Sequence, residues 1–152
     1  MALPRLTLKA SFFGNFRLHD ADGNLLLEQT RNNKSMYLLE YLIYHRDEGI
    51  SRHKLIELLC DEDDIGNPGN TLKIIIHRAR RMLEEAGLNH VESIIYARGK
   101  YHWNPDIACE LDCDQFLDLL RQAENERDPL AETELLLAAV RLHSGSFLGR
   151  MA

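Results

Sequence analysis

The sequence predicts an α+β fold: an N-terminal antiparallel sheet, three helices, a β-hairpin and a closing pair of helices. Three observations predict it. Apolar and polar residues alternate in short stretches up to His19, apolar spacing turns helical between Asn33 and Ala86, and a second strand-like stretch doubles back around Arg98-Gly99-Lys100.

The elements follow in order. Residues 6–12 and 16–19 alternate as half-buried strands do, with Gly14-Asn15 between them. Asp20-Ala-Asp-Gly-Asn24 has turn composition, and 25–28 supplies a third short strand of a meander. Over 33–45, Met36, Leu39, Leu42 and Ile43 recur at helical spacing. Ser51 is the expected N-cap of a second helix over 52–60, and the acidic stretch from Asp61 to Gly69 reads as a loop. A third helix begins near Pro68 to Asn70 and runs to Ala86, with Gly87 as the left-handed residue that closes it. Residues 91–97 and 101–103 are the arms of the hairpin, ended by Asn104-Pro105. Two more helices are expected, over about 114–126 with Phe116, Leu119, Leu120 and Ala123 on one face, and from Asp128-Pro129 to about His143.

Composition narrows the function. A hydrophobic content of 45% with 28% charged residues suits a globular chain with a real core. No apolar run is long enough for a membrane helix, no signal peptide is visible, and three cysteines suit a reducing compartment, so a cytoplasmic setting is expected. The net charge of −6 is unevenly spread: residues 1–105 hold 14 basic and 14 acidic residues, and 106–152 hold 4 and 10. Residues 70–104 carry 6 basic against 3 acidic, and 40–64 carry 3 against 8. Screening limits a polyanion to the local field, over about 8 Å at physiological salt, so the total does not exclude nucleic acid.

Three helices followed by a two-stranded hairpin is the order of a winged helix-turn-helix. In that design the third helix is apolar where it meets its neighbours and basic where it enters the major groove, about 12 Å wide. At 100° per residue, Leu72, Ile75, Ile76, Ala79, Leu83 and Ala86 fall within about 60° of one direction. The opposite face holds Asn70, Ile74, His77, Arg78 and Arg81, with Lys73 and Arg80 at one margin. Arg98 and Lys100 add charge at the hairpin tip. Ile74 reads either as a contact for a thymine methyl or as rim core. Most charged helix faces are merely solvated; the element order and the basic tip are what favour DNA here.

At this point the sequence resembles a family. Phe13-Gly14-Asn15-Phe16, the helix from Lys34 to Ile43, Ile50-Ser51-Arg52 with Leu55, Ile56 and Leu59, and Asn70-Thr-Leu72 through Arg80-Arg81-Met-Leu83 are similar to the OmpR-type winged helix of SARP-class bacterial activators. Leu111-Asp112 with Asp114 and Phe116, and Leu142-His-Ser-Gly145-Ser-Phe147-Leu148, resemble the start of their TPR-like bacterial transcriptional activator (BTAD) domain. The resemblance implies a DNA-binding domain over 1–105 and a helical pair over 106–152 that opens a BTAD domain. It implies DNA contact by Arg78, Arg80 and Arg81, with Arg98 and Lys100 in the wing. The loop before the recognition helix touches RNA polymerase in OmpR-type relatives, which implies that role for Asp61, Glu62, Asp63 and Asp64; a solvated loop is the alternative. The chain departs from the pattern at Cys60-Asp61, in place of Trp-Pro, at Ala79, in place of leucine, and at Lys100, where glycine precedes the tyrosine.

Other chemistry is set aside. Asp20-x-Asp22 and Asp61-x-Asp63 do not continue as calcium loops, and Cys109, Cys113 and His102 lack a fourth zinc ligand at finger-like spacing. No phosphate loop, nucleophile elbow or zinc-protease motif occurs, so neither an enzyme nor a cofactor or metal is expected. No aspartate-rich receiver stretch is read ahead of the winged helix, so phosphorylation of a receiver within this chain is not expected. One helical pair cannot bury a stacked core alone, so it is expected to pack on the N-terminal sheet and first helix, and the stop after Leu148 suggests part of a longer regulator. The expected partner is promoter DNA, with RNA polymerase contact and a homodimer on direct repeats left open. The alternative function is a protein-interaction module that does not bind DNA.

Overall fold

The computed structural model describes residues 6–30, 33–60, 67–88 and 91–142. The acidic group Asp61, Glu62, Asp63 and Asp64, and the motif from His143 to Leu148, lie outside them. The elements are β1 (Leu6–Ser11), β2 (Arg17–Asp20), β3 (Leu25–Glu28), α1 (Lys34–Tyr44), β4 (Ile50–Ser51), α2 (Arg52–Leu59), α3 (Pro68–Glu85), β5 (Ile94–Ala97), β6 (Lys100–Trp103), β7 (Ile107–Leu111), α4 (Asp112–Asn125) and α5 (Pro129–Leu142). The expected α+β order of sheet, three helices, hairpin and helical pair is present. By packing, the chain forms two units: residues 1–6 with 29–108, and residues 7–28 with 109–152. A division by chain order at residue 105 and this division by packing differ in where they place 7–28 and 106–108.

In the first unit, side chains close each helix start. Asn33 Oδ1 accepts from the N–H groups of Ser35 and Met36, at 3.0 and 3.2 Å, to begin α1. Ser51 Oγ accepts from Lys54 N at 3.1 Å to begin α2, as expected. Asn67 Oδ1 accepts from Asn70 N at 3.1 Å, with Pro68 at the first helical position of α3. α3 ends in a Schellman closure: Gly87 has φ +105°, and Leu88 N and Gly87 N donate to the carbonyls of Leu83 and Glu84. Met36, Leu39, Leu55, Leu59, Leu72, Ile76, Leu83, Ile94 and Trp103 are buried, each worth about 1.5–3 kcal/mol in aliphatic or aromatic burial. The Ser35 hydroxyl donates to the Ile75 carbonyl at 2.9 Å and ties α1 to α3 inside this core.

β4, β6 and β5 form a three-stranded sheet in that order. The two-residue β4, which the periodicity does not reveal, pairs Ile50 with Tyr101 and Ser51 with Lys100. Gly49, just before it, has φ +77° and lies against the His102 imidazole, where an added Cβ would collide.

In the second unit the sheet order is β3-β2-β1-β7, with the β1–β2 and β2–β3 pairs antiparallel. The meander is as expected, but β7 is a strand the sequence reading does not contain. Asp20 makes the turn after β2, accepting from Asp22 N, Asn24 N and Asn24 Nδ2, each at 2.9 Å. The Asn24 amide beside it holds its carboxyl below the ordinary carboxylate value. The helical pair docks on the sheet through α4. Asp112, opening α4, accepts from Phe12 N at 2.8 Å and Phe13 N at 3.2 Å, and the Phe13 ring meets Phe116 edge-on with centroids 5.5 Å apart. Among the described residues, no helix is long and apolar enough to cross a membrane.

Candidate nucleic-acid interface

α3 has 18 residues and is therefore about 27 Å long. Its two sides are chemically opposite. Leu72, Ile75, Ile76, Ala79 and Leu83 are buried, while Asn70, Lys73, Ile74, His77, Arg78 and Arg81 are exposed. Ile74 is 45% exposed, so it stands on the solvent side with the polar residues and not in the rim of the core. Arg78 and Arg81 border an open cleft of about 580 Å³ with Thr30, Asn33, Ser35, Met82 and Glu85. Arg81 faces Glu85 at 3.9 Å, an exposed pair worth a few tenths of a kcal/mol, roughly, which a phosphate would readily displace.

Arg80 is placed differently. It is only partly exposed, and its Nη2 donates to the Ile94 carbonyl at 3.1 Å, while its Nε is buried without a hydrogen-bond partner. Its guanidinium therefore anchors the root of the hairpin to the back of α3 and does not stand with Arg78 and Arg81. Asn104 holds the same root, donating from its backbone N to Ser93 O at 2.8 Å and from its side chain to Glu92 O at 2.7 Å.

The hairpin of β5 and β6 pairs Ala97 with Lys100 across the tip. The two tip residues, Arg98 and Gly99, have φ of +57° and +79°, the sign that a type I′ turn demands at both positions. The glycine missing before Tyr101 is thus met one residue earlier, and arginine occupies a conformation that costs about 1–2 kcal/mol for a residue with a Cβ. Arg98 and Lys100 are both exposed. Tyr96, 53% exposed, packs against Tyr101 with centroids 4.7 Å apart on the same hairpin.

Arg52 is a residue the sequence reading leaves out of the site. Its N–H donates to Gly99 O in the hairpin tip at 3.3 Å, and its guanidinium lies over Gly69 in the first turn of α3, where a Cβ would meet it. It is exposed and so joins the tip to the start of α3 by a cation. A signal was available in the sequence. Arg52 and Lys54 sit in the first turn of α2, where no acidic residue is present and the helix dipole disfavours positive charge. Lys54 faces Glu57 at 3.6 Å, but Arg52 has only this outward position to explain it.

The assembled surface is a helix of groove-entering size with basic, amide and imidazole groups on its outer side, flanked by a cation-tipped hairpin. Among the described residues, no group of three or more His, Cys, Asp or Glu is arranged to hold a metal ion.

Residues 28–100 match the family model described as "Transcriptional regulatory protein, C terminal". The fold is similar to that of Mycobacterium tuberculosis EmbR, solved in complex with a low-affinity phosphopeptide, with a TM-score of 0.73 and 19% identity. The likeness covers 96% of this chain and 38% of that one, so the chain spans well under half of the EmbR chain. None of the curated proteins compared matches the chain. The family match spans the stretch from β3 to the tip of the β5–β6 hairpin, and the likeness to EmbR is one of fold.

Proposed function

We propose that the chain is a sequence-specific DNA-binding regulator, acting as a promoter activator, that lays α3 in the major groove and the β5–β6 wing on the flanking backbone or minor groove. One observation carries this reading: the outer side of α3 presents Lys73, His77, Arg78 and Arg81 together while its inner side is buried core. Arg78 and Arg81 supply planar donor forks for guanine edges or phosphates, Asn70 an amide at the leading turn, and Ile74 an aliphatic group for a thymine methyl. Arg98, Lys100 and Arg52 neutralise phosphates on either side of the groove. Arg80 contributes indirectly, by holding the wing to α3. The residues 106–152 open a BTAD-type domain in this reading, and Asp61, Glu62, Asp63 and Asp64 are the acidic contact for RNA polymerase. Tandem binding on direct repeats fits the same scheme.

The test is selection of bound fragments from a genomic library, followed by a mobility-shift assay with the enriched sequence. The wild type is expected to shift it, and the Arg78→Ala/Arg81→Ala variant, folded by circular dichroism, is expected not to. A double variant that shifts the fragment as the wild type does would overturn the assignment of the recognition face. Failure to enrich any sequence would leave the protein-interaction reading in its place.

A further inference from the structure

In the first unit, the wing and α3 meet along a seam. Arg80 Nη2 bonds the Ile94 carbonyl at the root of the hairpin, while Arg52 links the tip, through Gly99 O, to Gly69 in the first turn of α3. The hairpin therefore runs back along α3 from position 80 towards its start. Residues two apart in a strand share a face, so Tyr96 stands on the same side of β5 as Ile94. Ile94 and its cross-strand partner Trp103 are buried, which makes this the side turned to the helices. Tyr96 is where that side runs out past the core. It lies about 7 Å beyond Ile94 towards the tip, level with the part of α3 between Lys73 and His77, both exposed. Stacking on Tyr101 suits a cross-strand pair, but it leaves half of Tyr96 open, and the hydroxyl has no hydrogen-bond partner among the described residues.

We propose that Tyr96 holds the sugar–phosphate strand that separates the two grooves, its ring lying on a deoxyribose and its hydroxyl donating to a phosphate oxygen. This contact rests on the DNA-binding reading and adds an uncharged group to it. A helix in the major groove and a hairpin in the neighbouring minor groove have one strand of backbone between them, and that strand has to cross the seam. The charge on either side suits such an occupant. Residues 70–83 and 93–105, which form the two sides, contain no Asp or Glu and hold Lys73, Arg78, Arg80, Arg81, Arg98 and Lys100. The carboxylates nearest in sequence, Glu84 and Glu92, lie at the root of the hairpin, around a cleft they share with Arg80 and Ser93. Arg80 is turned to Ile94, so Lys73 and Tyr96 are the groups that the middle of the seam offers a backbone. A deoxyribose presents C–H groups and a phosphate presents acceptors. Tyrosine, apolar in its ring and a donor at its tip, matches both.

Fluorescence anisotropy of the full chain with the duplex enriched by genomic selection, at several salt concentrations, tests this. Tyr96→Phe keeps the stacked ring and loses only the hydroxyl. It should weaken binding about tenfold, the usual effect of losing a hydrogen bond to a charged group, and melt at the wild-type temperature. Tyr96→Ala should weaken binding further. Both should keep the wild-type dependence on salt, because no cation is removed, whereas Lys73→Ala should lower the slope of log affinity against log salt by about 0.9. A Tyr96→Phe variant that binds as tightly as the wild type would overturn the contact and leave the DNA-binding reading standing. So would a flattened salt slope in either tyrosine variant, because the wing would then have left its phosphates. A wild type that binds no duplex would instead remove the DNA-binding reading, and this contact with it.

Discussion

Replacing Arg78 and Arg81 together by alanine removes two of the six exposed cations assigned to the interface, the others being Arg52, Lys73, Arg98 and Lys100. If each neutralises one phosphate, the wild-type slope of log affinity against log salt is about −5.4, from about 0.9 per phosphate. Between 50 and 200 mM salt this amounts to an affinity loss of about 2,000-fold. The double variant retains four contacts, a slope of about −3.6 and a loss of about 150-fold over the same interval. Both side chains are exposed, and Arg81 gives up only its 3.9 Å contact with Glu85, so the melting temperature should barely move. Fluorescence anisotropy with a labelled duplex, titrated at four salt concentrations, measures both slopes. The reasoning would be refuted if the slope stayed at its wild-type value, because these two arginines would then touch no phosphate. A changed slope with collapsed stability would instead place them in the fold.

Three further outcomes are expected. Glu40 is 3% exposed with Oε2 unpartnered, and burial pushes its carboxyl from 4.5 up to about 7. The folded state therefore holds the proton more tightly than the unfolded one, and stability should fall as pH rises from 4.5 to 7 and level off above. The full cost is about 3 kcal/mol, so urea melts should show Glu40→Gln near wild type at pH 4.5 and more stable at pH 8; parallel profiles would contradict this. Arg98→Gly relieves the left-handed tip and should raise stability by up to about 1 kcal/mol while weakening DNA binding, read by thermal melting and anisotropy; a destabilised variant would count against the strained turn. Gly49→Ala places a Cβ on the His102 ring in a positive-φ backbone and should cost about 2 kcal/mol or more in the same melts, a loss that an unchanged melting temperature would rule out.

The parts of this fold legible in the sequence are those written by local rules. α3 could be read, face by face, because its apolar residues repeat every three to four positions and its ends carry Pro68 and Gly87. Ser51 as a cap is equally local. β7 could not be read: Ile-Ala-Cys-Glu-Leu does not alternate cleanly, and it becomes a strand by lying beside β1, some hundred residues earlier in the chain. β4 is too short for any period. The same division runs through the candidate site. Helical spacing groups Asn70, His77, Arg78 and Arg81 and places both Lys73 and Arg80 at one margin, and only the nearby Ile94 carbonyl decides that Arg80 turns to the wing. Arg52 gains its place from Gly69 and Gly99, neither adjacent to it in sequence.

Under the proposed DNA-binding function, the bond from Arg80 to the strand of the wing has a practical corollary for any attempt to change the target sequence. The Arg80 guanidinium joins α3 to the strand at the root of the hairpin, so their spacing is set in part by this bond. Transplanting only the outward side chains of α3 from a relative would leave that spacing tuned to the original site. Exchange of residues 68–103 as one block carries the fastening along with the reader, and is the graft this geometry recommends.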